Sequence, residues 1–324
     1  MKRLVVGLLA IALGLSAAGC GGQRRDTTPG GGGRLTIATG NTTGVYYILG
    51  GGIAKIISAH LGGYRATAEA TKASKENIER LVSGQNDIAF GLADTAADAV
   101  HGTHSFRAKQ PVKVLLRIYS NTTHVVVRAD SGIRSIADMR GKSISTGSPN
   151  SGTELIATRL LEAHGMTVAD VRQQRASLPE TVDGMKDGSI DGMVWSGGLP
   201  TAGVQELVAS MGERVRFLDL SAELPVLQVR YGDAYQPGVI PASVYGTKGA
   251  PAHSIVVANL LLVSDRMSDA LAGKLVRLVF AHKAELVQVH PEAANITVAT
   301  AAKTGDVPLH PGAAKALAEL GAVP

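Results

Sequence analysis

The sequence has one cysteine in 324 residues, one tryptophan and only 4% aromatic residues. A single Cys excludes a disulfide framework and a Cys-rich zinc site. So few aromatics argue against a deep stacking site for sugars or bases. Charge is also scarce: 18% of residues are Asp, Glu, Lys or Arg, and the formal net charge is +5. No basic run is long enough to serve as a footprint for nucleic acid, whose binding rests on clustered Lys and Arg. Enzyme signatures are missing too. There is no G-x-S-x-G, no H-E-x-x-H among the nine His, and no G-x-G-x-x-G after a strand. His101 and His104 are spaced i, i+3, but Gly102 between them marks a helix end rather than a metal site. Neither an activated nucleophile nor a cofactor or metal site emerges, which argues against an enzyme. A hydrolase-like α/β enzyme is the remote alternative.

What is present is apolar residue and glycine: 45% hydrophobic and 39 Gly. That is too apolar and too weakly charged for a disordered chain, and the length suits one large domain or two of roughly 100–200 residues. The most apolar stretch is at the start, MKRLVVGLLAIALGLSAAGC. Lys2 and Arg3 form a positive n-region, Leu4 to Leu15 an apolar h-region, and Ser16 to Gly19 a small-residue cleavage region. This is the architecture of a secretory signal, too short to favour a membrane span. Its removal lowers the net charge to +3. The lone Cys20 follows directly, and Ala17-Ala18-Gly19-Cys20 resembles a bacterial lipobox, which implies that Cys20 carries the lipid. Two acyl chains anchor stably, since each buried CH₂ is worth ~0.8 kcal/mol. Polar, Gly-rich 20–33 then reads as a tether. The expectation is a folded body outside the cytoplasm, lipid-anchored to the cell membrane.

The body contains an internal duplication. Strand LTIAT and loop Gly40-Asn41-Thr42-Thr43-Gly44 precede a helix with Val45, Leu49, Ile53, Ile56 and Ile57 on one face. Some 107 residues later, KSIST and loop Gly147 to Gly152 precede a helix with Ile156, Leu160 and Ala163. The next unit repeats at one offset of 104: Glu76, Ile78, Leu81, Gly84, Asp87 and Phe90 match Glu180, Val182, Met185, Gly188, Asp191 and Val194. Asp87 and Asp191 thereby read as structural residues at strand starts rather than a catalytic pair. The second strands end in the loops Gly91 to Thr95 and Ser196 to Pro200. Alternating strands and helices in two copies predict an α/β fold with two similar lobes joined by a hinge. The runs 112–119, 124–130 and 253–265 suit crossing strands, and 270–289 reads as one helix, with a shorter one after Pro311. Lobe I is expected over 34–121 plus 257–324, and lobe II over 122–256.

Ligands in open α/β sheets bind beyond the carboxyl ends of strands, where these loops lie. Two of the loops open helices, whose N-termini favour anions through unpaired N–H groups and the dipole. Gly147-x-x-x-x-Gly152 has Walker A spacing, but Thr153-Glu154 stand where a nucleotide loop needs Lys-Ser/Thr. A small carboxylate suits it better than a triphosphate. Ser151 and Glu154 also read as a helix cap and its capping-box partner. Of Tyr46 and Tyr47, one packs and the other faces the cleft; Tyr46 is the favoured ligand contact. Trp195 ends a repeat strand at the cleft, and Tyr119 and His124 are hinge or site candidates.

Several stretches together resemble the TAXI family of solute-binding proteins, receptors for TRAP transporters. They are TIATGNTTGVYY at 36–47, LVSGQNDIAF at 81–90, HVVVRADSGI at 124–133, GSPNSGTE at 147–154, WSGGLP at 195–200, IPASVY at 240–245 and VPLHPGA at 307–313. The resemblance implies a type II periplasmic-binding-protein fold, acting as a monomer with a TRAP-type membrane permease and no nucleic acid. It implies a small carboxylate ligand such as glutamate, glutamine or 2-oxoglutarate. The ligand residues it implies are Gly40, Thr42, Thr43, Gly44, Tyr46, Ser148, Ser151, Gly152, Thr153, Trp195, Ser196 and Gly197; Tyr119 joins them as the site candidate named above. Two departures stand out. Gly91-Leu92-Ala93 replaces the family's polar pair, which points toward a less polar acid, and Ile48 replaces a Pro. Alternative partners for the same fold are an ATP-driven importer or a sensor kinase.

Overall fold

The computed structural model describes residues 32–248 and 250–323. The expected signal segment and Cys20 lie outside the described residues, as does most of the tether. Gly33, placed in the tether from sequence, already begins the first strand. Among the described residues no helix is long and apolar enough to cross a membrane.

The first duplicated unit comprises β1 (Gly33–Ala38), α1 (Val45–His60), β2 (Tyr64–Glu69), α2 (Ser74–Val82), β3 (Ile88–Leu92) and α3 (Ala93–His101). The chain then crosses the molecule in β4 (Val112–Arg128). The second unit is β5 (Ser143–Ser145), α4 (Gly152–Ala163), β6 (Arg172–Gln174), α5 (Leu178–Asp187), β7 (Gly192–Gly197) and α6 (Ala202–Met211). It is extended by β8 (Val215–Phe217), α7 (Glu223–Tyr231), β9 (Tyr235–Ile240) and α8 (Ala242–Tyr245). The return crossing is β10 (Ala252–Ser264), followed by α9 (Asp269–Ala281), α10 (Lys283–Val289), α11 (Val298–Ala301) and α12 (Pro311–Glu319).

One ten-stranded sheet runs β2-β1-β3-β10-β4-β7-β5-β6, with β8 beside β4 and β9 beside β10. Read from each end, the order is the same: two parallel neighbours of the unit's first strand, then a long antiparallel crossing strand. The two-lobed α/β architecture follows from this repetition. β10 pairs with β3 over residues 259–263 and with β9 over 252–257; β4 pairs with β7 over 122–127. The crossing strands therefore change neighbours near Asn121 and Ala258.

The apolar periodicity has its expected consequence. Val45, Leu49, Ile53, Ile56 and Ile57 are all buried on one face of α1, each large aliphatic residue contributing ~1.5–3 kcal/mol. One pair of hydrophobic clusters gathers the first unit with α9 and α12, and another pair gathers the second unit with α7 and β9. The repeat is also literal at its aspartates. Asp87 accepts the Thr36 backbone N–H and Asp191 accepts that of Ser143, both at 2.8 Å. Each ties the start of a unit's second buried strand to the first. Gly84 and Gly188 both end helices at positive φ, +75° and +87°, where a side chain is strained.

Three expectations need correction. The runs 112–119 and 124–130 form one strand, because polar Ser120, Asn121 and Thr122 keep an extended backbone through the crossing. The stretch 270–289 is two helices, broken at His282. No loop follows Leu92: Gly91 and Leu92 complete β3, and α3 begins at Ala93.

Candidate functional site

Three helix starts from two halves of the sheet meet at one cavity of about 30 Å³. α1 contributes Gly44, Val45 and Tyr46; α2 contributes Ala73 and Ser74; α4 contributes Ser151, Gly152 and Thr153. The first-turn N–H groups of a helix lack intrahelical partners, and their dipoles add a positive end. The strand ends bring Leu92 from β3 and Trp195, Ser196 and Gly197 from β7, while Tyr119 and Asn121 come from the β4 crossing. Gly40, Asn41 and Gly198 complete the lining.

A buried chain of hydrogen bonds forms the floor. The Tyr46 hydroxyl donates to Asn259 Oδ1 at 2.5 Å. Asn259 Nδ2 donates to Asn121 Oδ1, and Asn121 Nδ2 donates to the Ser196 carbonyl. The Ser196 N–H in turn donates to Thr153 Oγ1. This chain links the first unit to the second through both crossing strands. Burial pushes the Tyr46 phenol far above its usual range, so it stays protonated and donates. Tyr119 is raised for the same reason, burial first. Two buried lining groups have no hydrogen-bond partner: Tyr119 Oη and Ser196 Oγ. Buried hydroxyls are ordinarily paired, so both are open to a ligand.

Trp195 is fixed from behind. Its indole N–H donates to Thr201 Oγ1, and the Thr201 N–H donates to the Tyr245 hydroxyl. Tyr245 lies 2.8 Å from His124 Nε2, and His124 Nδ1 lies 2.9 Å from the Thr122 carbonyl. A carbonyl only accepts, so Nδ1 carries the proton and Nε2 accepts from Tyr245. Burial pushes the His124 pKa down to about 4, keeping the ring neutral.

The halves touch around the cavity. The Asn150 carbonyl accepts the N–H groups of Lys75 and Glu76 at 3.1 and 3.2 Å. The Leu199 N–H donates to Glu292 at 2.6 Å. Arg159 on α4 donates to Asp98 at 2.8 Å and Asp94 at 3.3 Å on α3. A Cβ at Gly152 would lie 2.5 Å from Leu92 Cδ1 and 2.7 Å from Ser74 Oγ, so this glycine permits the close approach.

Of the residues expected from sequence, Gly40, Gly44, Tyr46, Tyr119, Ser151, Gly152, Thr153, Trp195, Ser196 and Gly197 line this cavity. Thr42 does not; it is exposed. Thr43 turns its hydroxyl toward Gly203 on α6, and Ser148 is buried off the lining. His124 lies behind Trp195 rather than at the site. Tyr46 both packs, on Phe90 with ring centroids 5.0 Å apart, and lines the cavity, while Tyr47 is exposed. Ser151 caps α4 by accepting the Glu154 N–H, but the Glu154 carboxylate takes the Asn150 N–H, so the capping box is half formed. Sequence reasoning missed Val45, Ala73, Ser74 and Asn121 as lining residues, while Asn41, Leu92 and Gly198 lie in loops it had placed beyond strand ends without naming them as contacts. The offset of 104 was a usable signal for Ala73 and Ser74, since it aligns them with Ser177 and Leu178 at the start of α5.

The sequence model of the NMT1-like family matches residues 37–321, nearly the whole described body. The chain belongs to the NMT1-like family. Solved structures similar to this NMT1-like chain include binding proteins. A binding-protein component of an ABC phosphonate transporter from Pseudomonas aeruginosa aligns with a TM-score of 0.55 at 14% identity, covering 81% of this chain and 79% of that one. A protein from Bordetella bronchiseptica RB50 aligns at 0.52 and 17% identity, with 88% of both chains covered. The alkanesulfonate-binding protein SsuA from Xanthomonas axonopodis pv. citri, bound to MOPS, gives 0.49 at 16% identity, covering 88% of this chain and 83% of that one. At these identities the first two establish the two-lobed fold of the NMT1-like chain.

Proposed function

We propose that the chain is an extracytoplasmic solute-binding receptor that holds a small carboxylate between its lobes and delivers it to a membrane importer. The carrying observation is the cavity itself: helix starts from both halves converge on two buried, unpartnered hydroxyls. A carboxylate there would accept from Ser196 Oγ, Tyr119 Oη and helix N–H groups, and lobe closure would bury it. Isothermal titration of ligand-stripped protein against a panel of carboxylates, sulfonates and phosphonates tests the reading. Failure of every carboxylate would overturn it.

For the importer, the similarity to a component of an ABC phosphonate transporter supports an ATP-driven partner. The stretches at 36–47, 147–154 and 195–200 favour a second reading, a TRAP-type permease driven by an ion gradient. Uptake of labelled solute by cells separates them: ATP depletion with the gradient held should stop the first and spare the second. Anchoring through Cys20 belongs to the proposal as well. Cys20→Ala should move the protein from the membrane fraction to the soluble one.

A further inference from the structure

On the carboxylate-receptor reading the cavity offers donors to an anion, and no carboxylate among the described residues lines it to pair with an ammonium group. Among the described residues, no Asp, Glu, Lys, Arg or His lines it. The carboxylates that stand behind it are engaged. Asp94 accepts from Arg159 and from the Tyr235 hydroxyl. Glu292 accepts from the Leu199 N–H and from Asn295, and Glu154 is paired with Arg175. Tyr46 and Tyr119 are held neutral by burial. A buried cation without a carboxylate partner is costly, and the helix dipoles here repel it further.

Part of the lining is apolar. Leu92, Val45, Ala73 and Trp195 supply the apolar part of the lining, and the cavity is small, about 30 Å³. Leu92 is 1% exposed and stands where the duplicated strand in the other half carries Ser196 (92 plus the offset of 104). Leu92 packs close to Gly152 and its N–H donates to Ser74 Oγ, so hydrocarbon and helix-start donors sit side by side.

We infer that the ligand is a short monocarboxylic or 2-oxo acid without an amino group, its carboxylate on Ser196 Oγ, Tyr119 Oη and the α4 start, its short chain against Leu92 and Trp195. This inference rests on the carboxylate-receptor reading and narrows it: free α-amino acids are rejected, and long dicarboxylates lack both room and a second polar end.

The test is calorimetric titration of the full chain in detergent, stripped of bound ligand, with matched pairs: pyruvate against alanine, 2-oxobutyrate against 2-aminobutyrate, and 2-oxoglutarate against glutamate. Propionate and methanesulfonate complete the set. Each short acid should bind at least about tenfold tighter than the amino acid of the same skeleton, a difference of ~1.4 kcal/mol. Equal or tighter binding of an amino acid would overturn the inference while leaving the carboxylate reading intact. Preference for 2-oxoglutarate over pyruvate would overturn the size limit in the same way, and preference for methanesulfonate over propionate would overturn the carboxylate headgroup. Binding of none of the acids would remove the receptor reading together with the inference. Ser196→Ala and Tyr119→Phe, checked for fold by circular dichroism, should each weaken the acid about tenfold. Unchanged affinity in both would displace the carboxylate from these hydroxyls.

Discussion

Helices α2 and α5 occupy equivalent places in the duplicated units, yet they begin differently. α5 completes its own start: Ser177 Oγ accepts the Glu180 N–H, and the Glu180 carboxylate accepts the Ser177 N–H. At the offset of 104, Ala73 stands in place of Ser177. It offers no side-chain acceptor and sits at φ +75°. Glu76, the counterpart of Glu180, turns to the Lys72 N–H and Arg80 instead. The N–H groups of Lys75 and Glu76 are taken by the Asn150 carbonyl of the opposite half. The second copy is self-contained; the first leaves its helix start for a partner across the cleft. A cap present in one copy and absent in the other thus makes the duplicated scaffold asymmetric at the site.

Among the side-chain contacts that join the halves, Arg159 is the one whose loss should cost most. Arg159 is 3% exposed and bridges Asp94 and Asp98, with its guanidinium carbon 4.2 Å from the Tyr231 ring centre. Arg159→Ala would leave two buried carboxylates beside each other, a loss of ~3–5 kcal/mol of stability. Urea unfolding measures it. A loss below ~1 kcal/mol would mean that the pair contributes little to holding α3 on α4.

Acid should separate the halves by a different route. The second half holds a buried histidine, His124, behind Trp195, whereas the first half meets the cavity floor through Tyr46 and its hydrogen bond to Asn259. The His124 pKa falls from 6.5 unfolded to about 4 folded. Between those values the unfolded state binds more protons. The contribution is therefore complete above pH 6.5 and is lost as pH falls toward 4, by ~3 kcal/mol in all. His290, which is lowered by burial at the Pro200 contact, acts in the same direction. Hydrogen exchange at pH 4.5 should show β7 and the start of α6 opening before β1 and β3. Simultaneous opening would mean that the halves unfold as one unit.

Gly152→Glu tests the close approach. Its Cβ would lie within 2.7 Å of Leu92 and Ser74, and its charge would replace that of an anion at the α4 start. Ligand affinity should fall more than about 100-fold, near 2.7 kcal/mol, with circular dichroism unchanged. Full affinity would exclude the α4 start as a contact.

The duplication was readable because it lives in local pattern: Gly84 and Gly188 in their turns, Asp87 and Asp191 at their strand starts, and period-3.6 apolar faces. The site was readable where glycines open helices, at 40–44 and 147–152. It was not readable where tertiary packing alone creates it. Nothing local marks Ala73 and Ser74 as a helix start facing a cavity. Asn121 interrupts an apolar pattern and reads as a break between strands, because its polar side chain serves a buried network that only the crossing brings together. Thr42 and Thr43 carry suitable hydroxyls, but the turn before α1 leaves one in solvent and aims the other at α6.

Two smaller substitutions sharpen the opposition between the copies. Asp87→Ala and Asp191→Ala should cost similar amounts, ~1–2 kcal/mol each, because each carboxylate holds the same N–H of its unit's first strand. Ser177→Ala should cost ~1 kcal/mol by removing the α5 cap. Since Ser177 lies off the cavity lining, affinity should stay unchanged while stability falls, the reverse of Gly152→Glu. Paired titration and urea unfolding of the two variants read this directly. If Ser177→Ala weakened the ligand as well, α5 would belong to the binding machinery, and the asymmetry between a closed and a lent helix start would fail.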